Sequence, residues 1–136
     1  MTVAADNEPD ALRGLRILVV EDEMMIAMLL EDALNDLGCV VIGPVGRLPE
    51  AIRLAESAVI DCALLDLNVD GDEVYPAAEK LAERDIPFAF ITGYRASHLK
   101  EPYRDQPILQ KPFTVPKLEQ VLRAWVRTIP GWRSDI

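Results

Sequence analysis

The sequence is poor in several residue types, and each scarcity argues against a class of protein. Only two cysteines, Cys39 and Cys62, occur among 136 residues, each beside apolar residues of a predicted strand. A disulfide framework is therefore not supported, and we expect two buried, reduced thiols. The single histidine, His98, has no Ser or Cys partner at a recognisable spacing. A surface position is favoured for it over a catalytic role.

Long apolar runs and basic residues are also scarce. No apolar run approaches the length of about 18 residues that a membrane helix needs, and the N-terminus lacks the apolar stretch of a secretion signal. We therefore expect a cytoplasmic protein that contacts no membrane. The chain has 14 basic and 23 acidic residues, a net charge of −9. This charge repels a phosphate backbone, so nucleic-acid binding is not expected.

What is present is the composition of one globular domain, with 50% apolar and 27% charged residues, and a regular alternation of strands and helices. Strands are predicted at 16–20, 39–43, 61–65, 87–91 and 107–110, and helices at 23–37, 48–57, 74–84 and 114–129. A further helix within 93–106 would be short and polar. Strict alternation predicts an α/β fold, a five-stranded parallel sheet with helices on both faces.

Acidic side chains follow two of these strands. Glu21 and Asp22 come after the first strand, and Asp66 comes after the third. Ligands of such sheets bind beyond the carboxyl ends of the strands, so these three carboxylates are predicted to share one pocket. Their mutual repulsion would be costly unless a cation lay among them. Oxygen ligands of this kind suit magnesium.

The last two strands bring phosphate ligands to the same edge. Thr92 follows "FAFI" and Lys111 follows "PILQ". A threonine hydroxyl can donate to a phosphoryl oxygen, and a lysine supplies a point charge. Asp66 lies centrally among these groups, so it is the natural nucleophile for a phosphoryl group.

Four short motifs in succession, "ILVVEDE", "LLDLN", "ITG" and "QKPF", resemble those of two-component response-regulator receiver domains. The resemblance covers roughly residues 14–129, with 1–13 as a flexible N-terminal segment and 130–136 as a C-terminal tail without an output domain. It implies a flavodoxin-like sheet of order 2-1-3-4-5.

The same resemblance implies the roles of individual residues. It implies phosphorylation of Asp66, contacts of Thr92 and Lys111 with the phosphoryl group, and a cis peptide bond between Lys111 and Pro112. The implied metal ligands are Glu21, Asp22, Asp66 and the backbone carbonyl of Asn68.

The stretch "PFAFITGY" is similar to the Phe-Ala-Thr-Gly-Tyr signature of a subgroup of mostly single-domain receivers, called the FAT GUY family, with Ile91 in place of the alanine. Receivers usually carry an aromatic switch residue three positions before the lysine, and this chain has Ile108 there. The subgroup suggests Tyr94, acting with Thr92, as the replacement. The alternative is that Tyr94 is a half-buried aromatic on a loop.

The loop after the third strand also departs from the usual receiver pattern. It lacks the common Met-Pro pair and reads "NVDGDEVYP". Asp70 and Asp72 could tune metal affinity there, although solvated turn residues are the ordinary interpretation.

We expect a stand-alone response regulator that accepts a phosphoryl group from a histidine kinase onto Asp66 with magnesium. It would not be an enzyme in the ordinary sense, because it catalyses only its own phosphotransfer and dephosphorylation. A phosphotransfer protein or another regulator would read its state, and a weak homodimer is left open. One alternative is a receiver-like scaffold that acts independently of phosphorylation. Another is a phosphohydrolase, but such enzymes need a general acid where Asn68 stands.

Overall fold

The computed structural model describes residues 11–93 and 99–132, which form seven strands and four helices. The strands are β1 (Arg16–Val20), β2 (Val40–Val45), β3 (Cys62–Asp66), β4 (Asn68–Val69), β5 (Asp72–Glu73), β6 (Phe88–Thr92) and β7 (Ile108–Gln110). The helices are α1 (Met24–Asp36), α2 (Leu48–Ser57), α3 (Tyr75–Glu83) and α4 (Val115–Val126). Five strands form one parallel sheet in the order β2-β1-β3-β6-β7. Counted within that sheet, the order is 2-1-3-4-5, and the predicted fold is confirmed.

The sheet is covered on both faces because alternate residues of each strand point to opposite sides. Leu18 and Leu65 belong to the core cluster that includes residues of α2 and α3. Ile17 and Leu64 belong to the second cluster, which includes residues of α1 and α4. Trp125 of α4 is part of that second cluster. The apolar face of the last helix therefore packs on the sheet.

A bulge in β2 shapes the edge of the sheet where the first acidic residues lie. Gly43 has a φ of +101°, and a Cβ there would lie 2.8 Å from the backbone nitrogen of Val45 and 3.0 Å from the carbonyl oxygen of Val19. Only glycine fits this position without strain. Beyond the bulge, the Glu21 N–H donates to the Val45 carbonyl at 2.9 Å. The backbone is thereby held in place where Glu21 leaves β1.

Two details of the chain lie outside the site, and the second agrees with the sequence prediction. Gly38 follows α1 with a φ of +88°, as a left-handed helix end requires. Cys39 and Cys62 are buried and free, and burial raises the pKa of the Cys39 thiol to about 12.

Two features of the loops differ from the sequence prediction. Within the segment predicted as a short polar helix, residues 99–106 form turns, and 94–98 lie outside the described residues. The segment after β3, which was predicted as a loop, contains the antiparallel pair β4 and β5. This hairpin turns at Asp70 and Gly71, whose φ angles are +50° and +87°.

Candidate phosphoacceptor site

The candidate site lies at the edge where the carboxyl ends of four parallel strands meet. Glu21 follows β1, Asp66 ends β3, Thr92 ends β6 and Lys111 follows β7. The register places Val20 opposite Leu65 and Thr92 opposite Gln110, so the residues at the strand ends are level with one another. The structure therefore brings together side chains that the sequence separates by as many as 90 positions.

Three carboxylates form the acidic part of the site. One oxygen from each of Glu21, Asp22 and Asp66 lies within 4.8 Å of the other two. Glu21 and Asp66 are buried, with exposed fractions of 3% and 7%, whereas Asp22 is exposed. The pocket that the sequence predicted is present in the structure.

Lys111 is the cation of this cluster. Its Nζ lies 3.0 Å from Glu21 Oε1, 3.1 Å from Glu23 Oε1 and 3.4 Å from Asp66 Oδ2. The contact with Glu23 was not predicted from the sequence. The sequence does show Glu23 as the third acid of "EDE", but an acidic residue at the start of a helix is usually solvated, so nothing indicated its contact with Lys111. The peptide bond between Lys111 and Pro112 is cis, as the resemblance implied.

These charges shift the pKa values of the site. Burial, and next the neighbouring Glu21, raise the pKa of Asp66 to about 8, and the Lys111 ammonium opposes this only in part. Burial also acts to raise the pKa of Asp22, but hydrogen bonds from the Asp70 N–H and the Asp66 side chain hold it below its ordinary value. Burial would lower the pKa of Lys111, yet the carboxylates around it raise that pKa. Asp66 therefore keeps a proton more readily than Asp22.

The donor set fits a magnesium ion. Glu21 Oε1 is buried and accepts no hydrogen bond of good geometry, even though Lys111 Nζ is near it. A buried oxygen without a well-formed hydrogen bond can accept a further partner such as a metal ion or water, beside the Lys111 ammonium. Magnesium prefers one or two carboxylates together with water and phosphate oxygens, and Asp22 and Asp66 face the same space. Glu21, Asp22 and Asp66 are therefore suited to hold it.

A cavity of about 350 Å³ opens at this cluster. Its lining consists of Asp22, Glu23, Asp66, Asn68, Thr92, Gly93 and Lys111. A larger cavity of about 510 Å³ lies near the start of β6, but among the described residues that line it there is one carboxylate, Asp85, and no base. Of these two cavities, the smaller is the one whose described lining combines a buried nucleophile, a hydroxyl and a cation.

The hairpin of β4 and β5 packs against the site through its backbone. The Asp70 N–H donates to Asp22 Oδ2 at 2.9 Å, so Asp70 contacts Asp22 through its main chain. At the other end of the hairpin, Lys100 Nζ contacts Glu73 Oε1 at 2.8 Å, and the Lys100 N–H donates to the Tyr75 hydroxyl at 3.0 Å. The hairpin thus touches both the acidic cluster and the segment that follows residue 98. Its pairing was missed because two-residue strands carry no readable alternation.

Two residues discussed from the sequence fall outside the described residues. Tyr94, the predicted switch partner of Thr92, is one, and His98 is the other. Thr92 itself is buried at the end of β6, and its carbonyl accepts the Lys111 N–H at 2.9 Å. The backbones of these two site residues are therefore held together.

Comparison with known sequences identifies the class of α/β domain to which this sheet order and acidic pocket belong. The sequence profile described as "Response regulator receiver domain" matches residues 17–123. The chain belongs to this family, whose members are signalling domains of two-component systems. No helix in the described ranges is both long and apolar enough to cross a bilayer.

Particular relatives include regulators from several bacteria. The chain is 31% identical over 116 residues to the transcriptional regulatory protein PdtaR of Mycobacterium tuberculosis, covering 82% of this chain and 57% of that protein. It therefore spans little more than half the length of that curated relative. It is similar to the solution structure of SdrG from Sphingomonas melonis Fr1, with 44% identity, a TM-score of 0.73, and coverage of 85% of this chain and 98% of that one.

A further similar structure was determined with a metal ion. The receiver domain of the sensor histidine kinase PA1611 from Pseudomonas aeruginosa has 26% identity and a TM-score of 0.69, and the match covers 84% of this chain and 98% of that one. A magnesium ion is coordinated in the active site cleft of that protein.

Proposed function

We propose that this chain is a cytoplasmic phosphoacceptor, which takes a phosphoryl group from a histidine kinase onto Asp66 with magnesium. The observation that carries the proposal is the surroundings of Asp66. Its carboxylate is buried at the end of β3, 3.4 Å from Lys111 Nζ, beside two further carboxylates that can share a cation with it. Membership in the receiver family and the magnesium in the PA1611 receiver support the same assignment.

Phosphoryl transfer from a phosphohistidine to Asp66 is a single displacement at phosphorus. An Asp66 oxygen attacks phosphorus, the P–N bond of a phosphohistidine breaks, and the imidazole nitrogen leaves with the electron pair. Magnesium, held by Glu21, Asp22, Asp66 and the Asn68 carbonyl, would neutralise charge on the phosphoryl oxygens. Lys111 supplies the second positive charge, and the Thr92 hydroxyl donates a hydrogen bond to a phosphoryl oxygen.

An apolar patch beside the cavity favours a protein as the phosphodonor. It consists of Met24, Met25, Met28 and Leu29 on α1, whose exposed fractions range from 56% to 79%. The preceding residue, Glu23, lines the cavity. Exposed methionines and leucines in a contiguous patch are typical of surfaces that bind proteins. A kinase or phosphotransfer protein can cover this patch while it presents its phosphohistidine.

Incubation with acetyl phosphate and magnesium is expected to add the mass of one phosphoryl group to the wild-type protein and none to Asp66→Asn. The reason is that an amide cannot form the acyl phosphate. Intact-mass spectrometry measures both, and Asp32→Asn, on the exposed side of α1, is the matched control that should gain mass normally. If the wild type gains no mass, or Asp66→Asn gains as much, the alternative of a phosphorylation-independent scaffold is favoured instead.

The subgroup signature leads to a proposal for signal output. Phosphorylation would draw Thr92 toward the phosphoryl group and shift Tyr94 with the segment 93–106, which biases a two-state surface. The stretch "PFAFITGY" and the absence of an aromatic residue at position 108 support Tyr94 in this role. A partner regulator or phosphotransfer protein would read the altered surface.

Tyr94→Ala is expected to keep the phosphoryl mass gain but to reduce, by about half or more, the amide chemical-shift changes that phosphorylation produces in residues 93–106. Tyr94→Phe separates the ring from its hydroxyl group. The measurement is a pair of proton–nitrogen correlation spectra, with and without acetyl phosphate. Shift changes equal to those of the wild type in both variants would rule out the switch.

A further inference from the structure

Glu23 lines the cavity and ends the motif "ILVVEDE", but the family resemblance assigns no role to it. It caps α1 without a hydrogen bond from its side chain to the helix, and its N–H donates to Glu21 Oε2 at 3.1 Å. Its carboxylate instead reaches Lys111 Nζ at 3.1 Å. The Glu23 side chain is 61% exposed and the Lys111 side chain only 15%. Glu23 therefore lies between solvent and the cation of the site.

Glu23 adds a negative charge to the cavity beyond those of the proposed metal ligands. Among the described residues that line it, Asp22, Glu23 and Asp66 are acids and Lys111 is the one base. A magnesium ion held by Asp22 and Asp66 would offset their two charges but not that of Glu23, which contacts Lys111. A small anionic phosphodonor arriving from solvent is repelled by the exposed Glu23 carboxylate. It must also compete with that carboxylate for Lys111, the cation that its phosphoryl oxygens need. Both effects oppose an anion more strongly as its charge increases.

We propose that Glu23 is a specificity-determining residue that disfavours small anionic phosphodonors and so favours a phosphoryl group delivered by a protein. This inference depends on the phosphoacceptor function proposed for Asp66. A bound protein covers the mouth of the cavity and supplies its own contacts on the α1 patch, which offset the repulsion. A small donor has no such contacts.

Two small donors of different charge test this idea. Acetyl phosphate is a dianion near neutral pH, and its transfer breaks the P–O bond as acetate leaves with the electron pair. Phosphoramidate has a net charge of −1, and its transfer breaks the P–N bond as ammonia leaves with the electron pair. In each case an Asp66 oxygen forms the new bond to phosphorus, so the two reactions differ in donor charge and leaving group but share the acceptor.

Glu23→Gln is expected to be phosphorylated about tenfold faster than the wild type by acetyl phosphate and about threefold faster by phosphoramidate, because the logarithm of the effect scales with donor charge. Raising sodium chloride from about 0.05 M to about 0.5 M should shrink both ratios through screening. Rates are measured by intact mass at saturating magnesium. Glu23→Asp keeps the charge but shortens the reach to Lys111, so its rates should lie between those of the wild type and Glu23→Gln.

Asp32→Asn is the matched control, since it removes the same charge from an exposed position of the same helix. If Glu23→Gln differs no more from the wild type than Asp32→Asn does, the inference is overturned. Equal acceleration with both donors would also overturn it, because a structural change at Asp66 would not distinguish donor charge. If the wild type itself gains no phosphoryl group at Asp66, the proposed function fails instead.

Discussion

Asp22→Asn is expected to weaken magnesium binding by about a hundredfold, since loss of even an indirect metal contact costs about tenfold to a hundredfold. Asparagine keeps an oxygen that can accept the Asp70 N–H, which now donates to Asp22 at 2.9 Å. The hairpin contact can therefore survive while one negative charge is lost. Asp22 is the exposed member of the carboxylate cluster, so the substitution leaves the core intact.

Isothermal titration calorimetry with magnesium chloride at constant ionic strength measures this change. Asp32→Asn alters the net charge equally and should bind magnesium as the wild type does. The same loss should appear as a smaller rise of Tm on adding magnesium, because a ligand that binds only the folded state stabilises it. Equal affinities in Asp22→Asn and the wild type would place the ion elsewhere and contradict the proposed ligand set.

Asp66→Asn is expected to be more stable than the wild type in the metal-free protein at about pH 8, by about 2 kcal/mol after discounting for screening. The folded protein raises the pKa of Asp66 to about 8, whereas the unfolded chain has an ordinary carboxyl pKa of about 3.9. Between these values the folded state binds more protons than the unfolded state. Its free energy of unfolding therefore falls as pH rises.

The stabilisation from the raised Asp66 pKa is fully present below about pH 4 and is lost as pH rises through about 8. Asparagine does not titrate, so the difference between the variant and the wild type should grow in the variant's favour across that interval. Urea unfolding in a chelator at several pH values measures it. If the free energies of unfolding of the two proteins changed in parallel with pH, the Asp66 pKa would not be raised.

Saturating magnesium should reverse the comparison. The ion favours the ionised form of Asp66, so it should bind more tightly as pH rises toward about 8 and should release a proton on binding. The wild type gains this stabilisation, and Asp66→Asn gains less of it. If magnesium left the difference in unfolding free energy between Asp66→Asn and the wild type unchanged, Asp66 would not be a ligand of the ion.

Much of the fold could be predicted because its signals are local. The β-branched run at 16–20 and the apolar stripe of the last helix recur with the periods of a strand and a helix, and both elements formed where these patterns lie. Boundaries moved by one to three residues, as at the bulge around Gly43 and at the end of the last helix, predicted at 129 and observed at Val126. The hairpin of β4 and β5 was missed because each strand has only two residues.

The sequence by itself determined which side chains reach the site edge, because parallel strands joined by helices place their carboxyl ends together. Glu21, Asp66 and Lys111 were predictable for that reason. Only the tertiary structure decided which of these charged groups contact one another. Lys111 contacts Glu23 across 88 positions of sequence, and Asp22 accepts an N–H from a loop 48 residues away. Whether such contacts form depends on how separate elements are placed relative to one another, to within a few tenths of an ångström. No local sequence pattern encodes that placement.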